Sequence, residues 1–483
     1  DTASPYIDLL NLNPNLQGPI PYLFTDPDLN LSSSFTSVYH DINSLALTNP
    51  NSRHNIYASL NVQGYLSKHS SLSELLHDLT NLNSPIEILA LQETWQIPSP
   101  DLSSIPGYSL IHSQREGRGG GVGFLIKDGL QFSVNSNLSV FIPNVFESLT
   151  IESSIESKKV SFTSIYRSPN PPKNLSQTDQ LLRFNDNLDS LLTNLTNSYS
   201  SSYIMLDSNI NSLNHSPPHQ HSRYFDIITE NGFIQTITKA TRITNTSRTL
   251  IDHILTNNIT HTLTTGTLIT DVSDHFLTFI ISPHKHHKHK VTPKPMRNLS
   301  QKNLNSLQNA LSYQDWGDVL SDPYVDYSFD KFWTLFYPLF NHHCPIEESR
   351  GCRESRGVSG YITPGLLVSR STKLKLHKKF LSDPSPHNHL SYKTYRNSYN
   401  RLVRASRKSY YCELLKKHQK NPKKTWEIIN ETIGKTKKSS KIEKILIDDS
   451  HCLDFKKMAN HFNGFFTGVS CVWAAVVLRR PSV

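Results

Sequence analysis

The sequence predicts an α/β domain over residues 53–282, followed by a mainly helical, basic C-terminal region. Three observations carry this. Apolar runs of strand length recur between polar turns from Arg53 to about Ile281, and helical 3–4 patterns lie between some of them. The charge is divided. Residues 1–282 hold 14 basic and 24 acidic side chains, whereas residues 366–445 hold 21 basic and 5 acidic, within a net charge of +9. Aromatic residues at 10% speak against wholesale disorder, and a hydrophobic share of 36% suits folded parts joined by polar ones. An acidic half joined to a strongly basic segment makes nucleic acid or an anionic surface the first partner to consider.

Residues 1–52 form a polar lead-in rich in Asn, Ser, Leu and Pro. The expected strands are 55–62, 86–92, 121–126, 159–166, 203–206, 250–255 and 275–281. Leu72, Leu75, Leu76 and Leu79 fall at i, i+3, i+4 and i+7, as do Leu181, Phe184, Leu188, Leu191 and Leu192 approximately, so helices are expected there. Residues 283–298 read as a His/Lys/Pro linker, a solvated tether whose histidines could bind metal adventitiously. Trp316, Phe332, Trp333, Phe336, Tyr337 and Phe340 suffice for a small helical connector over 299–365. In the basic block 366–445, Tyr392, Tyr395, Tyr399, Leu402, Val403, Tyr410 and Leu414 form a helical stripe, with Arg401, Arg404, Arg407 and Lys408 beside or opposite it. A solvated charged face, a nucleic-acid contact and a membrane surface all remain open for this helix. A tail, 446–483, ends the chain.

Five cysteines, all beyond residue 340 and none in a CxxC pair, exclude a disulfide scaffold and fit a reducing compartment. No run reaches the ~18 to 20 apolar residues that span a bilayer. The opening DTASPYIDLL has neither a basic n-region nor an apolar h-region, so no signal peptide is expected and the chain reads as nuclear or cytoplasmic.

The acidic half places its polar residues at strand ends. Asn61 and Gln63 follow one apolar run, Glu93 another, and Asp207 and Asn209 a third; Asp274 and His275 open the last strand. Each alone reads as an ordinary turn or cap residue. Asp252 within IDHIL is different, because an apolar run should not bury a carboxylate without a partner; His275 or His253 could be that partner. An oxygen-rich set of this kind suits Mg²⁺ or Mn²⁺ and disfavours structural zinc.

The ordered motifs SLNVQG, LALQETW, GRGGGVGFLIK, SIYRSPN, MLDSN, TSRTLIDHIL and VSDHF resemble the endonuclease/exonuclease/phosphatase superfamily. More narrowly, they resemble the endonuclease domain of a LINE-type (non-LTR) retrotransposon. The resemblance covers about residues 53–282 and implies a DNase I-like, two-sheet α/β sandwich. It further implies a Mg²⁺-dependent (or Mn²⁺-dependent) endonuclease that nicks DNA to leave a 3′-OH. Glu93 would be the principal metal ligand, with Asn61 positioning metal and phosphate and Asp274 a further ligand or support. Tyr166 would contact the scissile phosphate, Asp207 would orient or deprotonate the attacking water, and Asn209 would support the transition state. His275 would contact the phosphoryl oxygen, oriented by Asp252. Nucleic acid would be held by Arg167, Arg396, Arg401, Arg404, Arg407 and Lys408, which admits RNA beside DNA.

Two positions depart from the pattern: Gln63 stands where many relatives have Asp, and Leu206 where they have Gly. The glycine-rich run 117–123 lacks a GK[ST] ending and reads as a turn into a strand rather than a phosphate loop. YITPGLL, NPKKTWEIINETIGK and ANHFNGFF resemble the segment joining endonuclease to reverse transcriptase, and no polymerase Asp pair follows, so the chain reads as truncated before its polymerase. Two other readings stand beside the endonuclease. One is a phosphatase or phosphodiesterase of the same superfamily, the other a catalytically silent nucleic-acid-binding remnant.

Overall fold

The computed structural model describes residues 37–48, 54–97, 105–113, 119–213, 219–244, 246–258, 263–282, 295–348, 360–432, 445–447, 450–452, 454 and 456–465. Most of the expected polar lead-in, the His/Lys stretch 283–294, Gly117 and Arg118 at the start of the glycine-rich run, and the tail after residue 465 lie outside the described residues. The chain divides into two compact units, 1–434 and 435–483.

The larger unit opens with β1 (Val38–His40), α1 (Ile42–Thr48), β2 (Asn55–Asn61), α2 (Tyr65–Asn81) and β3 (Ile86–Gln92). β4 (Tyr108–His112), β5 (Val122–Lys127), β6 (Phe132–Val134), β7 (Phe141–Ile142), β8 (Phe146–Ile155) and β9 (Lys158–Tyr166) follow. Then come α3 (Gln177–Ser198), β10 (Ser201–Asp207), α4 (His219–Glu230), β11 (Ile234–Gln235) and the short hairpin β12 (Arg242–Ile243) with β13 (Arg248–Thr249). β14 (Asp252–Thr256), β15 (Thr264–Leu268) and β16 (Leu277–Ser282) complete the sheets.

One sheet has the order β1-β15-β16-β2-β3-β5-β4, the other β11-β14-β10-β9-β8-β6 with β7 beside β8. Both are mixed: β2 pairs parallel with β3, and β9 with β10, while their other neighbours run antiparallel. Every residue of β2 and β3 is buried, which is why these strands are mainly apolar on both faces, with Ser59 and Glu87 enclosed among the apolar residues. The sheets meet face to face through Tyr57, Ile88 and Phe124 on one side and Ile151, Phe162, Tyr203 and Met205 on the other. Leu72, Leu75, Leu76 and Leu79 bind α2 to the outer face of the first sheet. α3, capped by the Ser176 hydroxyl accepting from Asp179 N, covers the second sheet together with α4. The two-sheet α/β sandwich expected from the sequence is the fold found.

Beyond the sandwich, β17 (Pro295–Arg297) pairs with β18 (Ile346–Glu348) around α5 (Gln301–Ser312), α6 (Gly317–Leu320) and α7 (Val325–His343). Of the aromatic residues expected in a small helical unit, Phe332, Trp333, Phe336, Tyr337 and Phe340 run along α7 as a ladder, Trp316 lies against Phe332 from just before α6, and none of them is buried. Phe329, Trp333 and Tyr337 remain 57%, 45% and 42% exposed, because α5 contributes only Leu307 to the interior. α8 (Pro364–Ser382) and α9 (Pro386–Lys417) form a hairpin, and α10 (Pro422–Thr432) follows. α9 corresponds to the expected basic helix, with Tyr392, Tyr399 and Val403 buried; Leu402, assigned to the same stripe, is 51% exposed and faces away.

The hairpin packs on the sandwich. Phe380, Leu381 and Tyr392 join Tyr39, Ala240, Ile243 and Phe276 in one apolar cluster. Lys373 Nζ lies 2.7 Å from Asp271 Oδ2 with both side chains largely enclosed, and Arg370 pairs with Asp78. The smaller unit contains the antiparallel pair β19 (Ile445–Ile447) and β20 (Ser450–Cys452) and a helix over 456–465. No described helix is long and apolar enough to cross a membrane.

Phe162 is fully buried between the sheets, stacked on Tyr203 at 5.3 Å and edge-on to Tyr57 at 4.7 Å. Phe162→Ala is expected to lower unfolding stability by about 3–5 kcal/mol, read from urea denaturation. A loss below about 1 kcal/mol would mean that the sheets do not close on this ring.

Candidate active site

The strand ends that carry the polar residues turn sharply. Gln63, Glu93, Trp95 and Asn209 all adopt left-handed backbone conformations, with φ between 47° and 58°. Such residues cost roughly 1–3 kcal/mol each and persist where the surroundings fix them. Gly64 N donates to Glu93 O at 2.8 Å, and Trp95 N to Gly120 O at 2.9 Å. Gly121, at φ +88°, has no room for a side chain: a Cβ there would lie 2.6 Å from Thr94 Oγ1. The described part of the glycine-rich run therefore enters β5 and also forms the floor on which the Glu93 turn rests. Leu206, where the resemblance implies glycine, is fully buried and regular in β10, and the left-handed turn falls beyond it at Asn209.

One amide group gathers the acids. Asn61 Nδ2 donates to Glu93 Oε1 at 2.9 Å and to Asp207 Oδ2 at 2.7 Å. Its Oδ1 accepts from Gln63 N at 3.1 Å, which fixes the orientation of the amide. The Asn61 amide thus ties together the two carboxylates, while its oxygen also accepts from the backbone. Trp95 Nε1 donates to the other Glu93 oxygen at 3.3 Å. Asn209 N donates to Asp207 Oδ1 at 3.2 Å, and Asn209 Nδ2 donates to Arg167 O at 2.7 Å.

Asp207 lies opposite Asp252 in the antiparallel β10–β14 register. The carboxylates of both and the His275 imidazole have donor atoms within 4.8 Å of one another. His275 Nδ1 lies 2.9 Å and 3.0 Å from the two Asp252 oxygens, and Thr241 Oγ1 donates to Asp252 Oδ2 at 2.6 Å. The partner of Asp252 is thus His275. His253 turns to the Tyr224 hydroxyl at 2.7 Å, and burial pushes its pKa down to about 4.

The electrostatics follow from burial. Burial lifts Asp207 to about 7, with Asp252 and Glu93 adding repulsion against the opposing pull of His275 and the Asn61 hydrogen bond. Burial also opposes charge on His275, but the charge and hydrogen bond of Asp252, joined by Asp207 and Asp274, outweigh it and raise the imidazole to about 9. Asp274 sits below its usual value: burial pushes it up, and His275 with Arg242 more than offsets that. Arg242 reaches Asp274 Oδ2 with Nε at 2.9 Å and Nη2 at 2.7 Å, while Asp274 Oδ1 is buried without a hydrogen-bond partner among the described residues.

Tyr166 closes β9 opposite Asp207 and is 5% exposed. Arg167, expected at nucleic acid, is buried; its Nη1 donates to Ser208 O at 3.0 Å, so it braces the loop after β10. Arg401, Arg404 and Lys408 are exposed on α9, Arg407 donates to Thr432 O at 3.2 Å, and Arg396 lies against the Tyr392 ring. Thr241, Arg242 and Ser273, whose hydroxyl donates to Asn61 O at 2.6 Å, escaped sequence reading because Thr, Arg and Ser in polar turns carry no distinguishing pattern.

Because folded His275 holds its proton more tightly than an ordinary imidazole, its contribution to stability is complete below pH 6.5 and is lost as pH rises through about 9. In metal-free protein, NMR titration of the ring should give a midpoint near 9, and Asp252→Asn should move it well down. An unchanged midpoint would exclude the pair as the cause.

Residues 58–275 match the family model described as Endonuclease/Exonuclease/phosphatase family. No curated protein matches. Among solved structures, the endonuclease domain of TRAS1, a telomere-specific non-LTR retrotransposon, is 12% identical, with coverage of 47% of this chain and 98% of that one and a TM-score of 0.37. A 3′-5′ exonuclease from Neisseria meningitidis is 14% identical over 47% and 98% of the two chains, with a TM-score of 0.37. The catalytic domain of Xenopus laevis APE2 is 17% identical over 49% and 94%, with a TM-score of 0.36. The resemblance carried by the ordered motifs agrees with the match at 58–275: that segment is similar to the Endonuclease/Exonuclease/phosphatase family.

Proposed function

We propose that the protein is a Mg²⁺- or Mn²⁺-dependent endonuclease that hydrolyses DNA phosphodiester bonds to leave a 3′-OH, of the type found in non-LTR retrotransposons. The observation that carries the proposal is the convergence, from the ends of both sheets, of the Glu93–Asn61–Asp207 hydrogen bonds and the Asp252–His275 pair, with Asp207, Asp252 and His275 within 4.8 Å of one another. The residues fit a hard divalent cation. Two carboxylates share one amide donor, Asp207 is pushed up to about 7 largely by burial, and Asp274 keeps a buried oxygen without a partner among the described residues. Glu93 and Asp274 would hold the ion. When bound, it would supply Lewis-acid neutralisation of charge developing on the phosphoryl oxygens.

The chain's own residues divide the remaining work. Asp207, held by Asn61 Nδ2 and Asn209 N, would orient the attacking water and accept its proton; a carboxyl near 7 suits a general base at neutral pH. His275, kept protonated by Asp252, would donate from Nε2 to a phosphoryl oxygen, since Nδ1 is committed to the carboxylate. Thr241 would hold Asp252 in that orientation, and Tyr166 would contact the scissile phosphate. The exposed cations Arg401, Arg404 and Lys408 on α9 support a second, sequence-independent hold on nucleic acid, DNA first and RNA as the alternative.

The test is nicking of supercoiled plasmid in Mg²⁺. Glu93→Ala and Asp207→Asn should reduce the rate by about 10²–10⁴-fold and His275→Ala by about 10²–10³-fold, with EDTA abolishing cleavage by wild type. Equal cleavage by wild type and all three variants would remove the site. A wild type that binds DNA but never cleaves would favour the silent remnant, and turnover only of small phosphate esters would favour the phosphatase.

A further inference from the structure

A cavity of about 370 Å³ adjoins the proposed site, and its walls come from distant parts of the sequence. Ile243 and Thr244 of the β12–β13 hairpin and Ser273 and Asp274 of the loop before β16 form one wall; Tyr392 and Arg396 of α9 belong to the other. The α9 wall is fixed. Lys373 Nζ is buried 2.7 Å from Asp271 Oδ2 in that same loop, Arg370 pairs with Asp78, and His377 stacks on Tyr392 at 4.6 Å. The hairpin is thus tied to the segment that carries Asp274 and His275.

The charges of this wall remain open to an anion. The Arg396 guanidinium lies 5.4 Å from the Tyr392 ring centroid, and among the described residues no carboxylate forms an ion pair with it or with Lys68 on α2. Burial first, and then the positive charge of Arg396, hold the Lys68 ammonium below its ordinary value against the opposing pull of Asp274 and Asp271. The two like charges repel each other, and Arg396, the one that lines the cavity, would gain from an anion there. One of them is held by an aromatic ring on a packed helix, which limits the side-chain entropy lost on binding.

We propose that the α8–α9 hairpin completes the substrate path, with Arg396 forming a subsite for a backbone phosphate of the DNA strand beside the scissile bond and the Lys68 charge reinforcing it. The inference rests on the endonuclease reading and adds to it that residues more than 100 positions beyond the sandwich belong to the cleft. Arg396 does not touch the reacting phosphoryl group; it holds a neighbouring phosphate.

The test uses the full chain and a fluorescein-labelled duplex of about 20 base pairs of DNA in EDTA, with affinity followed by anisotropy across a salt series. Arg396→Ala should weaken binding roughly tenfold and reduce the slope of log K against log salt by about one, and Arg396→Lys should restore most of both. Lys68→Ala should act in the same direction. In Mg²⁺, Arg396→Ala should raise KM by a similar factor and leave kcat within about twofold. Unchanged affinity and slope in Arg396→Ala would overturn the subsite, as would a loss that Arg396→Lys does not restore, which marks a packing role. Tighter binding of an RNA duplex of the same sequence, or displacement of the DNA by inorganic phosphate as readily from wild type as from Arg396→Ala, would overturn it too. Cleavage unaffected by Glu93→Ala would remove the endonuclease reading while the salt slopes still decide the subsite.

Discussion

The arrangement depends on the gathering of two carboxylates, buried Asp207 and half-buried Glu93, around the Asn61 amide. Asp207 is almost fully buried, lies opposite Asp252, and shares a hydrogen-bond donor with Glu93. Burial first, and then the neighbouring charge of Asp252, lift Asp207 to about 7. The chain meets this cost with a fixed positive charge at His275, a donor amide, and left-handed turns at Glu93 and Asn209. Each sheet contributes: β2 and β3 bring Asn61 and Glu93, whereas β10 and β14 bring Asp207 and Asp252. The face-to-face packing of Tyr57, Phe162 and Tyr203 therefore sets the distances within the site as well as the stability of the domain.

Much of this was legible in the sequence, for physical reasons that can be named. β2 and β3 are mainly apolar because both of their faces are covered, and α2 and α3 declare themselves by leucines at 3–4 spacing. Asp252 announced a partner by being acidic inside an apolar run. Choosing His275 over the adjacent His253 needed the fold, since neighbouring residues on a strand face opposite sides and only one side meets the loop before β16. The helper residues Thr241, Arg242 and Ser273 were illegible because their roles come from contacts with residues far away in the chain, such as Ser273 with Asn61.

The C-terminal helices were legible as helices but not as neighbours. A basic stripe says that a helix is charged, not which of its cations are spent. Lys373 and Arg370 are consumed by Asp271 and Asp78, Arg407 by a backbone carbonyl, and only part of the basic block remains open to solvent. Likewise, aromatic residues in number suggested a core around α7, yet a core needs partners on the facing helix, and α5 offers little beyond Leu307. The +16 charge of residues 366–445 is thus divided between seating the hairpin on an acidic sandwich and presenting cations along α9.

The central claim is that the crowded carboxylates form a divalent-cation site. Titration of the full chain with Mn²⁺, followed by electron paramagnetic resonance of the free ion, tests it without reference to turnover. One strong site per chain is predicted, weakened at least about tenfold by Glu93→Gln, with the bound Mn²⁺ displaced by Mg²⁺ in wild type. Mn²⁺ binding of equal strength in wild type and Glu93→Gln, or no binding in either, would contradict the account.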